Sequence, residues 1–142
     1  MSEISESELV IHLIGLHSKM QKRMSRALSV HGLGVSEYLV LHQLYTAPTQ
    51  TLRRSDLAEL VGLSPSGVTR LINPMEKMGL VQKEENLRDA RVSLVTLSAA
   101  GKQIYEEAQV SFAHVAAALF EPLGATPLGT LAELLLTLTK GS

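Results

Sequence analysis

The chain has 142 residues, 45% of them hydrophobic, with 13 Lys or Arg against 14 Asp or Glu and no cysteine. This length suits one domain with an apolar core, and the lack of any apolar run of about 18 to 20 residues excludes a helical membrane span. A formal net charge of −1 excludes nucleic-acid binding through bulk positive charge, so the distribution of charge matters more than its total.

Glu3, Glu6 and Glu8 stand where a secretory signal peptide would be basic. Together with the absence of cysteine, they predict a cytoplasmic, reducing location and no membrane partner. From Ser7 to Val30 the spacing predicts a helix, with Leu9, Leu13, Leu16, Met20, Met24 and Ala27 on one stripe. Val10, Ile11 and Ile14 make its front half apolar nearly all round, so that half needs cover on more than one side. Lys19, Lys22, Arg23 and Arg26 form a basic stripe beside it, and they fit either a solvated face or, more sharply, an anion site or a phosphate contact near a dimer axis. Ser36 is the expected N-cap of a second helix running to Thr46, with Leu39, Val40, Leu41 and Leu44 inward. Ala47-Pro48-Thr49-Gln50 reads as a linker.

A short helix follows, carried by Asp56, Leu57, Ala58, Glu59, Leu60 and Val61, and Gly62 stops it. Leu63 is expected to fold back as a plug on the helix end. Ser64 as N-cap and Pro65 at the first helical position open the next helix. There Val68, Leu71, Ile72, Met75 and Met78 share one arc, and Ser66, Thr69, Arg70, Asn73 and Lys77 lie opposite. The outward set suits DNA: Arg grips a guanine edge with two hydrogen bonds, Asn does the same for adenine, and Ser or Thr reaches bases or phosphates. Gly67 would let the backbone approach the duplex. Pro74 removes a backbone bond inside this helix, yet Met75 and Met78 continue the apolar arc, so one kinked helix is expected up to Gly79.

Leu80 to Glu85 and Arg91 to Leu97 read as two strands around a polar tip at Asn86 to Ala90. Arg88 and Arg91 at such a tip suit a minor groove, and Asp89 is in reach of Arg91 to hold its rotamer. Ser98 caps a long helix through Ile104, Ala108, Phe112, Val115 and Leu119, which ends near Pro122. After a turn at Gly124-Ala125, Thr126 caps and Pro127 opens a last helix rich in leucine. The terminal helices carry more apolar surface than one small lobe can bury, which predicts a homodimer.

These elements predict a mainly α fold with a small β wing, as one domain over residues 1–142. Residues 36–97 form a winged helix-turn-helix lobe, and residues 1–35 and 98–142 form a helical dimerisation lobe. Residues 53–91 carry seven basic against six acidic side chains, a slight positive excess that dimerisation would double. No nucleophile elbow, Gly-rich phosphate loop or convergent acid and base argues for an enzyme, and no cofactor is implied. His12 and His17 diverge on their helix, while His42 and His114 lack a spaced partner, so no metal site is expected.

The run from Arg54 to Gly101 resembles the multiple antibiotic resistance regulator (MarR) family of transcription factors. The likeness rests on Asp56-Leu57-Ala58, Gly62-Leu63-Ser64, Val68-Thr69-Arg70-Leu71, Glu76-Lys77-Met78-Gly79-Leu80-Val81, Asp89-Ala90-Arg91 and Leu97-Ser98-Ala99-Ala100-Gly101. It implies a homodimeric, ligand-responsive repressor on a pseudo-palindromic operator in double-stranded DNA, with Arg91 in the minor groove and Asp89 orienting it. It also implies a small aromatic or anionic effector between the helical and reading lobes. Where family wings often read Asp-Pro-x-Asp-Arg-Arg, this chain has Asn86, Leu87 and Ala90 in place of the first Asp, the Pro and one Arg. The missing cysteines exclude thiol-based sensing. The alternative reading is a winged helix that contacts a partner protein instead of DNA.

Overall fold

The computed structural model describes residues 3–86 and 88–141, and the side chains of all of these except 85, 86 and 89–91. Six helices and a three-stranded antiparallel sheet follow in chain order: α1 (Glu6–Ser29), α2 (Val35–Thr46), β1 (Thr51–Arg53), α3 (Arg54–Val61), α4 (Pro65–Lys77), β2 (Val81–Asn86), β3 (Asp89–Leu97), α5 (Ala99–Phe120) and α6 (Leu128–Lys140). The fold is mainly α with a small wing, as the sequence predicts.

Three local boundaries differ from expectation. The cap of α2 is Gly34 and not Ser36: the Glu37 carboxylate accepts the Gly34 N–H at 2.7 Å, so an acid in the first turn does the work of a capping hydroxyl. The presumed linker is a short 3-10 turn, Pro48–Gln50, that feeds β1. That strand pairs Leu52 with Val95 and gives the sheet the order β1-β3-β2. The cap of α6 is Pro127, while the Thr126 hydroxyl bonds back to the Leu123 carbonyl at 2.7 Å.

One core joins the middle of the chain. Leu28, Leu33, Tyr38, Leu41 and Leu44 meet Leu57, Val68, Ile72 and Met75 of the helix-turn-helix and Val95, Tyr105 and Ala108 beyond it. The rings of Tyr38 and Phe112 stack at 4.5 Å and those of Tyr45 and Tyr105 meet tilted at 4.6 Å, so α2 and α5 are held by aromatic contact. Burial lifts the Tyr38 phenol well above its ordinary pKa, and the hydrogen bond to Glu106 raises that of Tyr45.

The ends of the chain lie outside this core. Residues 3–19 are all exposed, as is every described residue of α6 except the half-buried Leu131. The apolar front of α1 is therefore uncovered in the protomer, with Ile11 67% and Ile14 62% exposed.

The end of α4 and the start of α5 meet at a tight joint. The Ser98 hydroxyl donates to the Gly79 carbonyl at 2.6 Å and accepts the Gly101 N–H at 2.9 Å, while the Ser98 N–H donates to the Leu80 carbonyl at 3.1 Å. A Cβ on Gly101 would stand 2.1 Å from the Leu80 carbonyl oxygen and 2.9 Å from Leu97 Cδ1. Only glycine fits, for lack of space and not for backbone freedom. Gly101→Ala should therefore destabilise the protein by about 1 to 3 kcal/mol in urea melts, the range for overpacking. Gly129→Ala, where nothing lies within 4 Å, should leave the midpoint unchanged or raise it.

Candidate nucleic-acid interface

Helix α4 is set by its own start signals. Gly62 takes the left-handed conformation at φ 71°, and the Leu63 N–H closes the end of α3 on the Ala58 carbonyl at 2.9 Å. The Leu63 side chain is 38% exposed and lies beside Gly67. Ser64 caps α4 by accepting the Gly67 N–H at 3.1 Å, and Pro65 takes the first helical position. A Cβ on Gly67 would come within 3.2 Å of the Ser64 hydroxyl, so the cap itself crowds that position.

The two faces of α4 divide nearly as the periodicity predicts. Val68, Ile72 and Met75 are fully buried and Leu71 is half-buried. Met78 departs from the arc: it is the C-cap, beyond the last helical turn, and is half exposed. The helix runs through Pro74 without a break in its assignment. Opposite the core, Ser66, Arg70, Asn73 and Lys77 are exposed and Thr69 is half-buried. Arg70 stays on its own helix, its Nε donating to the Ser66 carbonyl at 3.4 Å.

Two of these side chains are held from outside α4, which sequence reasoning missed. Arg54, the first residue of α3, donates from Nη1 to the Thr69 hydroxyl at 3.1 Å. Lys83 of β2 donates from Nζ to Asn73 Oδ1 and lies 3.7 Å from Glu76. Arg53 is likewise engaged, by Asp56 at 3.0 and 3.3 Å, and that hydrogen-bonded pair raises its pKa. A cleft of about 320 Å³ lined by Arg53, Arg54, Ser55, Pro65, Val92 and Ser93 contains no acid. It joins the starts of α3 and α4 to the wing.

The wing strands reach further toward the tip than predicted, with Asn86 opposite Asp89 after a register shift at Glu85/Asn86. Arg88 is exposed near the tip. The expected contact of Asp89 with Arg91 falls on side chains outside the described ones. The basic stripe of α1 is split: Arg23 and Arg26 line a groove of about 330 Å³ with Ala27, His114, Val115 and Ala118, whereas Lys19 and Lys22 line none of the main clefts. A separate cleft of about 290 Å³ between α2 and α5 is lined by Tyr38, His42, Tyr105, Gln109 and Phe112, with the His42 ring and the Tyr105 hydroxyl hydrogen-bonded at 2.7 Å. Among the described residues no three His, Asp or Glu gather as a metal site, and no single helix is long and apolar enough to cross a membrane.

A capped helix pair with a glycine turn, an exposed polar reading face and a hairpin beside it define a winged helix-turn-helix protein. The MarR family model matches residues 33–93. Over that stretch the chain is similar to a family of DNA-binding transcriptional regulators, some of which respond to ligands. It is 27% identical over 125 residues to the HTH-type regulator YhbI of Bacillus subtilis, covering 88% of this chain and 80% of YhbI. Its fold is similar to that of Sco3205, a MarR-family regulator from Streptomyces coelicolor solved in complex with DNA. That likeness has a TM-score of 0.87 at 19% identity and covers 99% of this chain and 91% of Sco3205. It also resembles NadR solved with 4-hydroxyphenylacetate, with a TM-score of 0.80 at 25% identity and 99% of both chains covered.

Proposed function

We propose that this protein is a homodimeric, ligand-responsive repressor that reads a pseudo-palindromic operator with α4 in the major groove and the wing in the minor groove. The observation that carries this reading is the division of α4, with three fully buried apolar residues on one side and Ser66, Arg70, Asn73 and Lys77 exposed on the other. Ser64 and Gly67 shape the start of that helix, Thr69 lies on its outward face, and Arg88, Asp89 and Arg91 belong to the wing. Arg70→Ala should weaken operator binding by about 1 to 3 kcal/mol and relax base preference at one position, whereas Arg91→Ala should weaken it with less change in major-groove preference. Titration of operator and scrambled duplexes separates the two, and no loss for either variant would refute the assignment.

The uncovered apolar surface of α1 and α6 supports the homodimer. No residue of α6 is buried in the protomer, and Leu134 and Leu138 are 61% and 64% exposed. A two-fold pairing of these helices would set two reading helices about 34 to 36 Å apart, one turn of DNA. Ile14→Glu with Leu138→Glu, at sites with little contact in the protomer, should convert the dimer into a folded monomer in sedimentation. A wild-type chain that sediments as a folded monomer at micromolar concentration refutes the proposal.

The α2–α5 cleft supports an aromatic effector, since rings line it and the His42–Tyr105 pair offers it a polar contact. NadR, with its aromatic carboxylate, supports the same ligand class. Within the stripe of Lys19, Lys22, Arg23 and Arg26, the last two share a groove and are the better placed for an anionic group. An effector that favours another spacing of the reading helices lowers DNA affinity, and DNA lowers effector affinity by the same factor. Calorimetric titration with a panel of benzoates should give weaker binding once operator is present. Equal affinity in both conditions would show that no coupling exists.

A further inference from the structure

Two hydrogen bonds fix what the Thr69 hydroxyl has left to offer. Its Oγ1 lies 3.1 Å from the Pro65 carbonyl and 3.1 Å from Arg54 Nη1. A carbonyl only accepts and a guanidinium only donates, so the single hydroxyl proton belongs to Pro65 and one lone pair belongs to Arg54. What remains is one lone pair. Arg54 is well placed to hold this arrangement: it is half-buried, its Nε is buried without an acceptor, and no carboxylate pairs with it among the described residues. The neighbouring Arg53 is occupied by Asp56 and does not compete for Thr69.

We propose that Thr69, its proton committed to Pro65, reads as an acceptor only and that Arg54 is a positioning residue which holds the hydroxyl oxygen in place, so that the base facing Thr69 carries an exocyclic amine, adenine N6 or cytosine N4. These two amines are the only base donors in the major groove; guanine O6 and N7 and thymine O4 accept, as do phosphate oxygens, and a hydroxyl without a free proton cannot serve them. Thr69 therefore specifies a base instead of adding phosphate affinity. This inference rests on α4 lying in the major groove.

The test begins with selection of bound sequences from a randomised duplex pool by the wild-type chain. The amines of the selected half-site are then deleted one at a time, with purine for adenine and pyrimidin-2-one for cytosine. At one position the deletion should weaken wild-type binding roughly 3- to 10-fold, the range of one net hydrogen bond. The same deletion should leave Thr69→Val, which keeps the shape without the acceptor, unchanged. Arg54→Met should lose most of that amine dependence and Arg54→Lys should keep it, an effect that a merely structural role for Arg54 would not produce. The Thr69→Val arm stands whether or not Arg54→Met folds. A selected half-site in which no amine deletion is silenced by Thr69→Val overturns the inference while leaving DNA reading intact, and full amine dependence in Arg54→Met overturns the role of Arg54. Failure of the wild-type chain to enrich any sequence would refute the major-groove reading itself.

Discussion

The contact of the Ser98–Gly101 turn with the Gly79–Leu80 backbone is the constraint on which the rest of the structure depends. Four elements meet there: the end of α4, the start of β2, the end of β3 and the start of α5. Gly79 adopts φ 78°, and the Leu80 N–H returns to the Met75 carbonyl at 3.0 Å, so the exit of the reading helix is already stiff. The Leu80 carbonyl is then taken by the Ser98 N–H, with Gly101 pressed against it. A joint made of backbone atoms in close contact has little room to hinge. Any rotation of α5 is therefore carried into α4, and whatever sets α5 sets the angle at which the reading helix is presented.

What sets α5 is divided between the protomer and its surroundings. On one side, Tyr38, Tyr45 and Phe112 tie α2 to α5 by ring contacts around Tyr105. On the other side, α1 and α6 leave apolar surface bare, and bare surface of this extent costs free energy until a partner covers it. The first constraint is built into each chain; in the proposed homodimer the second would depend on association, which would link stability and geometry to protomer concentration. The proposed effector between the rings of α2 and α5 would act on the first constraint directly, since it would occupy space that the ring contacts otherwise define.

Legibility of the fold in the sequence follows the range of the interactions. The caps at Ser64 and Ser98, the stop at Gly62 and the buried arc of α4 depend on residues within one or two turns, and each was readable from spacing. The strand β1 was not, because three residues carry no period and acquire their structure from pairing with Thr96, Val95 and Leu94, over 40 positions away. The cap of α2 was missed because a carboxylate at Glu37 substitutes for the hydroxyl that Ser36 offered. At the candidate site the exposed set on α4 was legible from the helical wheel. The grip of Arg54 on Thr69 and of Lys83 on Asn73 was not, since each joins residues 10 or more positions apart on different elements.

These grips bear on how a chain of net charge −1 can read DNA at all. Of the basic residues near α4, Arg53 is tied to Asp56 and Lys83 to Glu76, so part of the local positive charge is already neutralised within the protein. Arg70 and Lys77 are exposed with no carboxylate in ion-pair range among the described residues. Exposed pairs of this kind add little stability, but they cost little to exchange for a phosphate, and meanwhile they keep the side chains in one place. A strongly basic lobe would gain affinity on every sequence alike through counterion release. A nearly neutral lobe lacks that general term, and discrimination between sequences makes up a larger share of what binding energy it has. On the proposed reading, fixed polar groups such as Thr69 and Asn73 would serve that purpose, because a group held in place gives up less freedom on binding and tolerates fewer partners.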